Sequence, residues 1–104
     1  MKTYHGTRTP TGPAVWIENG RVLQMLPHVV KHSPTGFNWG YGGSGSADLA
    51  LSLLTDALGH RRRAEALYQD FKWAVVAQLP DEWTLTRHDI LDWVRQKTIQ
   101  EVSP

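Results

Sequence analysis

Between Ser46 and Leu58 the chain reads SADLALSLLTDAL, and no other stretch narrows the fold so much. Ala50, Leu53, Leu54, Ala57 and Leu58 recur at i, i+3, i+4, i+7 and i+8, which is the stripe of an amphipathic helix. Ala47, Leu49 and Leu51 widen that stripe beyond one face, so this helix must be surrounded by other elements. Gly59 suits the left-handed residue that ends such a helix. A chain of 104 residues has room for one ordinary core. Residues 1–104 are therefore expected to form a single domain built around this helix.

The residues before it read as strands, over about 2–32. Lys2 to Arg8 is a short candidate, followed by turn chemistry at Pro10 to Gly12. Val15, Trp16 and Ile17 lead to Asn19-Gly20 and then to Arg21–Leu26. Asn-Gly between apolar runs signals a hairpin with a type I′ turn. Closed there, the hairpin pairs Glu18 with Arg21, Ile17 with Val22 and Trp16 with Leu23. Val29 and Val30 can extend the last strand. A glycine-rich loop then occupies 33–45, longer than most connections in compact domains and of the kind often used for function.

Two more helices are expected. One covers about 61–79, with Ala64, Leu67, Tyr68, Phe71, Ala74 and Val75 on its inner face and Pro80 as its stop. The other covers about 87–99, with Thr86 as N-cap, Asp89 completing a capping box and Leu85 against Ile90 as a hydrophobic staple. Strands first and helices afterwards indicate an α+β fold: a small antiparallel three-stranded β-meander followed by three α-helices packed on one face.

Composition removes several functions. With no cysteine, disulfides, thiol catalysis and Cys-ligated zinc are excluded. A formal net charge of +1 gives no general case for a nucleic-acid or membrane-surface binder. The opening MKTYHGTRTP lacks the apolar segment of a secretion signal, and no apolar run approaches the roughly 18 residues that cross a bilayer. A cytoplasmic protein without a membrane partner is the expectation.

Gly40, Gly42 and Gly45 satisfy G-x-G-x-x-G, but the βαβ unit and the downstream acid of a dinucleotide site are missing. A Walker loop needs Gly-Lys, whereas Gly45 precedes Ser46-Ala47. Two readings stay open. In one, the glycines serve positive φ and close packing under Trp39 and Tyr41. In the other, Phe37, Trp39, Tyr41, Gly42, Gly43, Ser44, Gly45 and Ser46 contact a protein partner or a small anionic ligand at a helix N-terminus. An up-down-up arrangement of the helices would bring Arg87 and His88 to the same end, with Lys31 and His32 joining from the strand side.

The one basic cluster, Arg61, Arg62 and Arg63, lies at the other end of the first helix. It is either a solvated helix start or a contact for a nucleic acid or an acidic protein face. His28 and His32 are four apart but lie in a strand or loop without a third ligand, so no metal is expected. No cofactor and no catalytic residue is assigned; an enzyme would have to use His32, Ser44 and His88. Trp73 and Trp93 fall off the apolar stripes of their helices, so one or both are expected to mark a protein interface. A homo-oligomer is compatible with the sequence.

The motif SPTGFNWGYGGSG followed by ADLAL resembles the hallmark of a family of short uncharacterised bacterial and phage proteins, a domain of unknown function found in mobile elements. Tyr68-Gln69-Asp70-Phe71-Lys72 and Trp83-Thr84-Leu85-Thr86, with Ile90 and Trp93, are similar too, so the resemblance covers most of the chain. Ser46 stands where the family motif has Pro. The resemblance implies no activity, catalytic residue or cofactor. It implies a setting, that of a small accessory protein of a phage, plasmid or integrated element, where inhibitors and sequestering proteins are common. The leading expectation is thus a non-enzymatic binding protein acting through its aromatic glycine-rich loop, with modulation of host defence as a role. Nucleic-acid binding through Arg61, Arg62 and Arg63 is the alternative.

Overall fold

A computed structural model describes residues 1–33 and 35–102. Strands β1 (Lys2–Thr9), β2 (Gly12–Asn19) and β3 (Val22–Met25) precede helices α1 (Ser44–Leu58) and α2 (Arg61–Ala74). A short 3-10 turn (Val76–Gln78), strand β4 (Trp83–Thr86) and helix α3 (Arg87–Val102) follow. The fold is α+β, but its sheet has four antiparallel strands in the order β3-β2-β1-β4, not three. β4 pairs with β1, placing Tyr4 beside Leu85 and Gly6 beside Trp83. Four residues that run straight into a helix give too short an alternation to read as a strand; β1 supplies the partner that makes them one.

The first hairpin pairs Tyr4 with Ile17 and Gly6 with Val15. The second forms where expected but in another register: Asn19 pairs with Val22, Glu18 with Leu23, Ile17 with Gln24 and Trp16 with Met25. The turn residues are thus Gly20 and Arg21. Gly20 has φ +63°, and no residue other than glycine has positive φ among those described. A type I′ turn would have forced Asn19 into that region as well. With glycine first, the φ signs are those of a type II′ turn, and Asn19 stays in the strand. The shift leaves every residue of β3 exposed, and Val29 and Val30 do not extend it.

Tyr4, Val15, Ile17 and Trp83 are buried on one face of the sheet and join the core with the helices. α1 is central, as its composition demands: every residue from Gly45 to Leu54 is buried. It begins two residues earlier than expected, at Ser44, so Ser44, Gly45 and Ser46 belong to its first turn. Gly59 ends it with φ +70° and an N–H donated to the Thr55 carbonyl at 2.8 Å.

α2 stops at Ala74 instead of running to 79. Pro80 has no N–H to offer the Val76 carbonyl, and it drives Leu79 into extended backbone at ψ 139°. The Val76 carbonyl accepts instead from Gly40 N at 3.0 Å and Leu79 N at 3.2 Å. α3 opens with the expected capping box: Thr86 N donates to Asp89 Oδ2 at 3.0 Å and Asp89 N to Thr86 Oγ1 at 2.9 Å.

Candidate functional site

The glycine-rich stretch is fixed from several directions. Arg8 of β1 donates to the Asn38 side chain and to the Trp39 carbonyl, both at 2.9 Å, and its guanidinium lies 4.6 Å from the centre of the Trp39 ring. Trp39 is itself fully buried, with its ring edge-on to Trp83 at 5.7 Å. It is a core residue and not a partner contact. Gly40 takes φ +83° to bring its N–H to Val76. Gly45 and Ser46 are buried too, and a Cβ on Gly45 would come within 2.9 Å of the Asn38 backbone N. Phe37 is half-buried and packs 4.5 Å from the His28 ring. These residues are packed into the protein, whereas Gly43 and Ser44 at the very start of α1 are half-buried and exposed, respectively.

Tyr41 and Gly42 behave differently. Tyr41 is 53% exposed, and Asn38 Nδ2 donates to its hydroxyl at 2.8 Å. A Cβ on Gly43 would strike the Tyr41 ring at 2.5 Å, so that glycine seats the ring. Gly42 does the same for Trp73 of α2, whose Cη2 occupies the space of the missing methyl at 2.1 Å. The Lys72 ammonium lies 4.5 Å from the Trp73 ring centre. Trp73 is held by these neighbours and is still 59% exposed. Beyond it, Asp70, Trp73 and Ala74 of α2 face Trp93, Lys97 and Gln100 of α3 across a groove of ≈ 400 Å³. Its floor is aromatic, since Trp93 packs edge-on against Phe71 at 5.0 Å, and Lys97 bridges to Asp70 at 3.1 Å on its rim. Trp73 and Trp93, marked by their positions off the helical stripes, thus share one surface feature.

Arg87 and His88 lie elsewhere. Arg87 Nε donates to the Ala57 carbonyl at 2.9 Å, at the C-terminal end of α1 and away from the glycine stretch that begins it. The up-down-up arrangement fails because α3 leaves directly from β4, whose pairing with β1 fixes where it starts. His88 pairs with Asp92 at 3.2 Å on the surface. His32 is bonded to the Tyr68 hydroxyl at 2.7 Å and Ser44 is exposed at the start of α1, so His32, Ser44 and His88 have no common partner among the described residues.

Lys31 and His32 join α1 and α2 by a route that sequence reasoning missed. Asp48 is fully buried and accepts from His28 Nε2 at 2.8 Å, His32 N at 2.8 Å, Ser33 N at 3.0 Å and Lys31 N at 3.2 Å. Burial pushes its carboxyl up, but the His28 ring and these N–H groups outweigh that, and the net shift is below the ordinary carboxylate range. The signal was a lone acid inside ADLALSLL, a run with no solvent-facing side. Lys31 bonds Glu65 at 2.9 Å, which lowers the Glu65 carboxyl.

Arg61, Arg62 and Arg63 are exposed in the first turn of α2, where the His60 ring caps the Arg63 N–H at 3.2 Å. Arg61 reaches Glu65 at 3.8 Å; Arg62 and Arg63 have no acidic partner among the described residues. Among those residues no group of three or more His, Asp or Glu side chains is placed to hold a metal, and no helix is long and apolar enough to cross a membrane.

The model of a family of unknown function (DUF6166) covers residues 4–96. No curated protein and no solved structure matches the chain.

Proposed function

The chain belongs to this family of unknown function (DUF6166), and from that premise we propose a non-enzymatic binding protein whose contact surface is the ridge of Tyr41 and Trp73 with its neighbouring groove. Trp73 carries the reading. A large ring left 59% exposed gains little from burial, yet Gly42 is shaped to seat it and Lys72 lies against it. Aromatic anchors surrounded by polar residues are where protein interfaces concentrate their binding energy. Asp70, Lys97 and Gln100 provide such a rim. An accessory role in a mobile element, with modulation of host defence, is the setting that the motif resemblance implies.

The test is co-purification from a host lysate with mass spectrometry of bound proteins and small molecules. Wild type, Trp73→Ala and the pair Arg62→Ala/Arg63→Ala are compared in parallel. Trp73→Ala is expected to lose the bound protein while its circular dichroism stays unchanged. Retention of the same protein by Trp73→Ala overturns the reading.

A second reading, nucleic-acid binding, is favoured by the unpaired Arg62 and Arg63. It predicts affinity for a DNA duplex that falls steeply with salt. A flat salt response sinks it.

A further inference from the structure

The two edges of the sheet are built differently. β4 passes straight into α3, whereas β3 ends the sheet with no strand beyond it among the described residues. Edge strands of soluble proteins are commonly guarded by lysine, proline, a bulge or an inward charge. β3 reads Val22-Leu23-Gln24-Met25 and has none of these. Val22, Leu23 and Met25 are 62%, 65% and 65% exposed.

Its register places Leu23 beside Glu18 and Met25 beside Trp16 on the face away from the helices. There Trp16, Leu23, Gln24 and Met25 line an open groove of ≈ 360 Å³. Val22 presents an apolar side chain on the other face. A strand laid along β3 would therefore find backbone donors and acceptors in the middle and apolar contacts on both sides, which is the arrangement of β-strand addition. Arg21, in the turn just before β3, is exposed and has no partner among the described residues.

We propose that the free edge of β3 receives a short extended peptide segment of a partner protein. The peptide carries apolar side chains at alternate positions and a carboxylate at the end that meets Arg21. Size argues against a second copy of this chain. A four-residue edge is roughly 13 Å long, and pairing β3 with β3 falls well short of the about 800 Å² per partner that a stable dimer needs. The surface shares no residue with the Tyr41 and Trp73 ridge, so the two stand or fall separately.

The test selects a displayed library of random octapeptides against the full-length protein and maps the winners by amide hydrogen exchange. Enrichment of sequences with alternating apolar residues and a terminal Asp or Glu is expected, with new protection at residues 22–25. Met25→Lys, on an exposed side chain, should weaken the selected peptide on the order of tenfold with circular dichroism unchanged. Arg21→Glu should weaken acid-ended peptides more than their amide counterparts. Protection appearing at the α2–α3 groove instead, no enrichment at all, or concentration-dependent protection of β3 without peptide would each overturn the proposal, the last in favour of self-pairing.

Discussion

Two tryptophans in this molecule sit on glycines in the same way and do opposite things. Trp83 lies over Gly6 and Trp73 over Gly42, each with ring atoms within about 2.2 Å of where a Cβ would stand. In both places a missing methyl group is the seat of an indole. Around Trp83 the seat is closed: the ring is 6% exposed and packs edge-on against Trp39. Around Trp73 it is open, at 59% exposure. A glycine seat therefore fixes where a ring goes, while the elements packed above it decide whether the ring stabilises the fold or is presented to solvent.

The contrast is broken most severely at the buried pair. Trp83→Ala should cost about 3–5 kcal/mol, read as a lower urea midpoint, because it empties the junction of β4, β1 and Trp39. On the same buried side, Asp48→Asn should cost about 1.5–3 kcal/mol by weakening charge-assisted hydrogen bonds to the 28–33 segment. That loss carries a pH signature. The folded Asp48 carboxyl lies below its ordinary value, so its contribution is full above the ordinary carboxylate range and is lost as pH falls through the depressed value. Urea midpoints of wild type and Asp48→Asn should thus converge in acid and diverge towards neutrality.

Gly6→Ala should cost about 1–3 kcal/mol, since the methyl meets a ring enclosed by the core. The same change at the open seat sharpens the contrast. Gly42→Ala and Trp73→Ala should each change the unfolding free energy from urea titration by no more than about 0.5 kcal/mol. Gly42→Ala should nonetheless alter tryptophan fluorescence, because the Trp73 ring is free to swing outward. A large stability loss in Gly42→Ala would mean that the exposed ring is structural.

Which parts could be read from the sequence follows the range of the interactions that determine them. The Gly59 terminus, the Thr86–Asp89 box and the existence of the 19–20 hairpin depend on residues a few positions apart, and the chain spells them out. The hairpin register depends on which residue takes positive φ, and the Asn-Gly pattern alone puts it one residue early. β4 is a strand only because β1 accepts it, and the Val76 carbonyl beyond α2 is satisfied by Gly40. Both partners are remote in sequence. The site divided along the same line: Trp73 and Trp93 were visible as residues off their helical stripes, whereas nothing local to Trp39 shows that Arg8 and Trp83 enclose it. Arg87 was misplaced because the path of α3 is set by the strand before it.

The position of β1 has a consequence in time. β1 is an inner strand of the finished sheet, and one of its two neighbours is residues 83–86, far later in the chain. At about 5–20 residues per second on the ribosome, β1 waits roughly 4–16 s for that neighbour. Until then Tyr4 and Gly6 lack Leu85 and Trp83 beside them, and the hairpin of β1 and β2 carries an extra unpaired edge. Nascent chains halted before residue 83 should therefore be the sticky ones, and the arrival of residues 83–86 is the step that closes the sheet.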